Sequence, residues 1–218
     1  MPPVFPVWRM PLLPIDAFIF DMDDVVCTYD VGRRISALAS LSGRPETEIR
    51  QAIWESDFLD RADRGYYSAD AYLDEFGRLL GMKLNRAQWV EARRASMIPD
   101  LPMLNLVRAL GQSHRLALLT NNDRLLSETI DDLFPELRHL FGSHLYVSAD
   151  LALAKPDPDI FRAVCNRVGA ETRRSFFIDD LAVNVAGAKE AGLQGHVFKG
   201  VTGFLEALKC AGITVTHE

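Results

Sequence analysis

The sequence predicts a doubly wound α/β fold: a parallel sheet covered by helices on both faces. Three observations predict it. Short apolar runs recur along the chain and are continuous rather than alternating, as in strands buried on both faces. Helical patterns separate them, which implies strand–helix–strand crossovers. Several of the apolar runs stop abruptly at polar residues, which places reactive groups at the carboxyl ends of the strands.

In order along the chain, residues 1–14 read MPPVFPVWRMPLLP. Five prolines forbid a continuous helix, and the segment lacks the charged start and cleavage site of a signal peptide. It reads as an extended tail, and Val4, Phe5, Val7 and Trp8 make it a candidate contact with a second copy of the chain. Ile15–Phe20 is the first strand, stopped by Asp21. Residues 28–100 break the alternation. They contain no convincing strand but four helical patterns, Arg33–Leu41, Glu46–Phe58, Ser68–Leu80 and Arg86–Ala95. This predicts a helical cap inserted into a core made of residues 15–27 and 101–218, lying over the carboxyl ends of the strands.

The core resumes with a helix at Pro102–Leu110 and a strand at Arg115–Leu119, stopped by Thr120-Asn121-Asn122. A helix over Asp123–Leu133 and a weaker strand at His144–Val147 follow. Asp157 is a good N-cap, with Pro158 at the first helical position, for a helix running to about Val168 and ending at Gly169. Ser175–Ile178 is a strong strand that stops at Asp179-Asp180. A helix at Leu181–Ala191 and a last strand at Gly195–Phe198 complete the pattern.

Composition narrows the function. Hydrophobic residues make up 48% of the 218 and charged residues 25%, which suits a globular protein with a real core. There is no apolar run of membrane-spanning length, so no membrane association is expected. The net charge of −6 disfavours nucleic acid as a partner. The insertion is nearly balanced, so most of the acidic surplus belongs to the core. Cys27, Cys165 and Cys210 are scattered, as are the five histidines, with no zinc spacing; reduced thiols in the cytoplasm fit best.

Four features sit at the strand ends. Asp21 and Asp23 are two apart, so on an extended chain they face one site while Met22 turns into the core. Two such carboxylates repel unless a cation or a proton lies between them, and Mg²⁺ is the natural cation for an oxygen site. Taken alone, the pair is equally turn and capping chemistry. Thr120 and Asn121 can hold phosphate oxygens, or simply precede the capping of the next helix. Lys155 is one of only five lysines against nineteen arginines, and it lies just before a proline at a helix start, where the dipole repels a cation. Asp179-Asp180, followed by Asn184, supplies a second acidic pair. Parallel strands bring all four to one edge, giving a carboxylate nucleophile, a nearby carboxylic acid, a hydroxyl, a lysine and a metal-binding acid pair. That set suits phosphoryl transfer through an aspartyl phosphate.

The ordered motifs Asp21-x-Asp23, Thr120-Asn121, Lys155-Pro156 and Asp179-Asp180, with the stretch FFIDDLAVNVAGAKEAGL, resemble the haloacid dehalogenase superfamily in its phosphatase-like branch with a helical cap. The resemblance spans about Ile15 to Gly212; Asp24 departs from it, standing where the family commonly has glycine. It implies a Mg²⁺-dependent phosphatase acting on a small phosphorylated metabolite. Asp21 would be the nucleophile and Asp23 the general acid/base. Mg²⁺ would be held by the Asp21 carboxylate, the Asp23 carbonyl and Asp180, with Asp179 a ligand or an orienter. Thr120, the Asn121 backbone and Lys155 would bind the phosphoryl group.

A dehalogenase of the same superfamily would need neither Asp23 nor the Asp179-Asp180 pair. A sugar-phosphate mutase shares every one of these residues. A phospho-receiver lacks the late acidic pair and the insertion, and a silent scaffold has no reason to keep all the motifs. Arg33, Arg61, Arg64, Tyr66 and Tyr67 are candidate ligand contacts from the cap, and equally bundle surface.

Overall fold

The computed structural model of the protein describes residues 14–215, so the proline-rich tail with Val4, Phe5, Val7 and Trp8 lies outside the described residues. Strand β1 (Ala17–Phe20) opens the fold, and the chain then leaves through β2 (Cys27–Tyr29). Helices α1 (Val31–Ser42), α2 (Glu46–Ile53), α3 (Phe58–Asp63), α4 (Ala69–Leu80) and α5 (Arg86–Ala95) follow before it returns through β3 (Met97–Pro99). Then come α6 (Leu101–Leu110), β4 (Arg115–Thr120), α7 (Arg124–Leu133), α8 (Pro135–Phe141), β5 (Leu145–Val147) and α9 (Ser148–Leu151). The chain ends with α10 (Pro158–Val168), β6 (Ser175–Asp179), α11 (Ala182–Glu190), β7 (Gln194–Val197) and α12 (Val201–Cys210).

Five strands form one sheet in the order β5-β4-β1-β6-β7, every neighbouring pair parallel. The chain fills one half of the sheet outward from β1, then crosses to β6 and fills the other. The gap between β1 and β6 is therefore the switch point at which ligands bind in such sheets. β1 is buried on both faces, as its unbroken apolar run requires. Phe18 and Phe20 enter one cluster with Phe204 of α12 and Phe141 of α8, while Ala17 and Ile19 enter another with Phe161 of α10 and Phe177.

The expectation that 28–100 holds no strand is overturned. Cys27–Tyr29 and Met97–Pro99 pair as an antiparallel two-stranded ribbon, with Thr28 opposite Ile98. Three residues per strand are too few for a period to register, and β3 is mostly exposed. The predicted helix over 46–58 also breaks, at Trp54, into α2 and α3. The insertion has its own aromatic centre, where Phe58 stacks on Tyr72 at 5.2 Å and Phe76 and Trp89 close edge-on. It rests on the core through α4 and α5 against α7.

Close approach in the core fixes one glycine. A Cβ on Gly187 of α11 would overlap the Pro156 carbonyl oxygen, so this helix lies directly against the Lys155-Pro156 loop. We expect Gly187→Ala to cost about 2 kcal/mol of stability, read as a lower urea midpoint. An unchanged midpoint would show that α11 does not approach this loop so closely.

Candidate active site

The register of the sheet builds the site. Phe20 stands opposite Leu118 on β4 and Ile178 on β6, so the next residues, Asp21 and Asp179, emerge side by side at the strand ends. The Asp21 N–H still donates to the Ile178 carbonyl at 2.8 Å, which holds the turn close to the sheet. Met22 is fully buried and Asp23 returns toward the cavity, as the spacing predicts. Asp24 adopts φ +60°, the left-handed conformation that a glycine takes freely and an aspartate tolerates; its Oδ1 accepts from the Tyr29 N–H at 3.0 Å.

One ammonium ties the floor together. Lys155 Nζ lies 2.6 Å from Asp21 Oδ1 and 2.7 Å from Asp179 Oδ2, with its side chain only 1% exposed. Asn121 clamps this lysine's backbone, donating from Nδ2 to the Lys155 carbonyl and accepting at Oδ1 from the Lys155 N–H, both at 2.9 Å. The Asn121 side chain thus orients the loop, a use that its place in the motif did not suggest. Asp179 is fully buried and also accepts from the Leu181 N–H and from Asn184 Nδ2. Thr120 is buried, and its Oγ1 accepts from Asn122 Nδ2 at 2.8 Å, leaving the hydroxyl proton free to donate.

Carboxylate oxygens of Asp21, Asp179 and Asp180 lie within 4.8 Å of one another. An all-oxygen, acid-rich set of this kind fits a hard divalent cation. Electrostatics agree. Burial pushes the Asp21 pKa up to about 8, with Lys155 opposing and Asp179 and Asp23 adding to the rise. Burial, then Asp179, also raises Asp180. Burial opposes the charge on Lys155, but Asp21 and Asp179 outweigh it and hold its pKa above the ordinary lysine value. Asp21 and Asp179 share one ammonium with Asp180 beside them, so ionising all three leaves net negative charge that a cation would neutralise.

The insertion contributes two residues that the sequence did not single out. Arg93 of α5, 2% exposed, donates from Nη2 to Asp23 Oδ2 at 2.6 Å, and its guanidinium lies 4.1 Å from the centre of the Tyr29 ring. A helical-wheel signal was present: Arg93 falls four residues after Trp89 on the buried face of α5. Asp63, at the end of α3, lines the cavity. None of Arg33, Arg61, Arg64, Tyr66 and Tyr67 lines it. Arg33 pairs with Asp30, Arg64 with Asp60, and Arg61 lies over Tyr66 and Tyr67, so these are bundle surface.

The raised Asp21 pKa fixes a sign for pH dependence. With divalent ions chelated, burial holds the Asp21 pKa of the folded chain up at about 8, above the ordinary value of 3.8 that the unfolded chain has. The folded state binds the extra proton between these values, so this contribution to stability is lost as pH rises through that window. In EDTA, Tm should therefore fall from pH 5 to pH 8 by more in the wild type than in Asp21→Asn. Equal falls in the two proteins would refute the assignment.

Similarity to known proteins agrees with this geometry. The family model for haloacid dehalogenase-like hydrolases matches residues 15–192. The chain is 28% identical over 195 residues to Phosphatase MT3486 of Mycobacterium tuberculosis, covering 85% of this chain and 88% of that one. It is 24% identical over 186 residues to D-ribitol-5-phosphate phosphatase of Bacteroides thetaiotaomicron, covering 83% and 90%. Its fold is similar to that of the HAD family enzyme bt-2542 of Bacteroides thetaiotaomicron, solved in complex with magnesium and inorganic phosphate. The TM-score is 0.71 at 22% identity, over 85% of this chain and 94% of that one. With a family match across most of its length and the motif residues gathered at one sheet edge, this chain belongs to the haloacid dehalogenase-like hydrolases.

Proposed function

We propose that the protein is a phosphatase that hydrolyses small phosphate monoesters through an aspartyl phosphate on Asp21. The observation that carries this reading is the Asp21 carboxylate at the cavity floor, paired with Lys155, with Asp23 on the same side two residues on. The names of the two relatives, both phosphatases, support it.

In the first half-reaction a carboxylate oxygen of Asp21 bonds to phosphorus. The bond from phosphorus to the leaving alcohol breaks, and that oxygen takes a proton from Asp23. In the second, the Asp23 carboxylate removes a proton from water as the water oxygen bonds to phosphorus and the Asp21–phosphorus bond breaks. Orthophosphate leaves and both aspartates return to their starting forms. Thr120 donates its free hydroxyl proton to a phosphoryl oxygen, and Lys155 balances charge on Asp21 and on the transferring group. Arg93 fixes Asp23 from the insertion, so the acid/base is positioned when α5 is seated on the core.

Asp21, Asp180 and the Asp23 carbonyl would hold Mg²⁺. Asp179 is better used as an orienter, because both its oxygens already accept hydrogen bonds. Bound Mg²⁺ supplies the positive charge that keeps Asp21 ionised and draws a phosphate dianion toward carboxylates. Helices α1–α5 act as the cap that closes over this site. No described helix is long and apolar enough to cross a membrane. The free cysteines, two of them buried, support a reducing compartment such as the cytoplasm.

With Mg²⁺, wild-type protein should release phosphate from p-nitrophenyl phosphate. Asp21→Asn or EDTA should abolish the release, and Asp23→Asn should slow it by about 10²- to 10⁴-fold. Retained activity in Asp21→Asn, or halide release from 2-chloropropionate without metal, would overturn the reading.

A further inference from the structure

The proposed chemistry leaves two carboxylates of the cavity unused, Asp24 and Asp63. Asp63 lines the same space of about 500 Å³ as Asp21, Asp23 and Lys155, but comes from the insertion. Its carboxylate makes no hydrogen bond or ion pair among the described residues. The other acids there are engaged. Asp23 is held by Arg93, Asp24 accepts from the Tyr29 N–H, and Asp21 and Asp180 belong to the cation-fitting group. Burial, then Asp123 and Asp60, push the Asp63 pKa up to about 8. Half-buried on the cavity wall, this carboxyl has its acceptor oxygens free for a hydrogen-bond donor brought by a ligand.

The backbone holds Asp63 in place. Gly65, two residues on, has φ +76°, and a Cβ there would overlap the Ala149 carbonyl oxygen of α9. Arg124 of α7 donates from Nη1 to the Tyr67 carbonyl at 3.4 Å. The turn after α3 is thus docked on the core. Positive charge, by contrast, is already committed. Lys155 is the one cationic side chain lining the cavity among the described residues, and Asp21 and Asp179 share it. A carboxylate or second phosphate on the leaving group would find no counter-charge there.

We propose that Asp63 accepts a hydrogen bond from a hydroxyl of the leaving alcohol, which selects uncharged, hydroxylated alcohols as the esterified group. The cavity volume suits a phosphate with a short polyol chain. This inference rests on the phosphatase reading above, and it names the substrate class for that site.

Three three-carbon phosphates test it: propyl phosphate, with no hydroxyl; glycerol 3-phosphate, with two; and 3-phosphoglycerate, in which a carboxylate replaces one. Each is titrated with Mg²⁺ present against turnover of p-nitrophenyl phosphate, so that binding is read whether or not the compound is hydrolysed. Glycerol 3-phosphate should compete about tenfold more tightly than either of the others. Asp63→Ala should bring it to within about threefold of propyl phosphate, while Asp63→Asn, which keeps an acceptor, should retain most of the advantage. Equal competition by propyl phosphate and glycerol 3-phosphate in the wild type would overturn the inference, as would an advantage that survives in Asp63→Ala. If p-nitrophenyl phosphate is turned over without any hydroxyl preference, this inference alone falls. If the wild type releases no phosphate from it, the phosphatase reading falls and takes this one with it.

Discussion

A single buried ammonium organises the site. Lys155 stands between Asp21 and Asp179, carboxylates that emerge from adjacent parallel strands. A charge so deeply buried is tolerable only when it is paired and hydrogen-bonded. That demand reaches outward. It requires β1 and β6 to end at the same level, Asn121 to clamp the lysine's backbone, and α11 to lie close against Pro156, where only glycine fits at position 187. The pairing is also incomplete: Asp180 stands beside the pair, so ionised carboxylates outnumber the one ammonium, while burial, with Asp179 and Asp23 adding to it, raises the Asp21 pKa. The same arrangement that stabilises the lysine therefore leaves room for a divalent cation.

The insertion meets this floor from the other side. Its entry and exit are the short ribbon of β2 and β3, which begins three residues after Asp24. Helices α4 and α5 bring Arg93 onto Asp23 through their packing on α7. A glycine turn brings Asp63 over the cavity. In the proposed reaction the core supplies the reacting groups. The insertion supplies one contact to the acid/base and one carboxylate that faces the leaving group in the proposed reaction.

Much of the core was legible in one dimension because parallel strands buried on both faces leave unbroken apolar runs. β1, β4 and β6 fall within or beside their predicted ranges, and β7 begins one residue earlier than expected. Asp157 caps α10 and Gly169 ends it, as the local chemistry dictates. Short elements were lost. α8, seven residues long, follows α7 after the single break at Phe134. β2 and β3 carry only three residues each. In all of these, tertiary contacts stabilise what local pattern is too brief to announce.

The strand-end residues Asp21, Asp23, Thr120, Lys155 and Asp179-Asp180 could be picked out from sequence because chain topology alone sends parallel strand ends to one edge. Which groups from the insertion face that edge could not. The arginines and tyrosines of α3 and its following turn could be ligand contacts or bundle surface by sequence alone; Arg61 and Arg64 pair with Asp57 and Asp60, and Arg61 also lies over Tyr67. Arg93 reaches Asp23 because α5 is seated on α7, and Asp63 reaches the cavity because Gly65 permits a close backbone approach to Ala149. Those are contacts between residues dozens of positions apart. They depend on how two packed lobes meet, and no local period or spacing encodes that meeting.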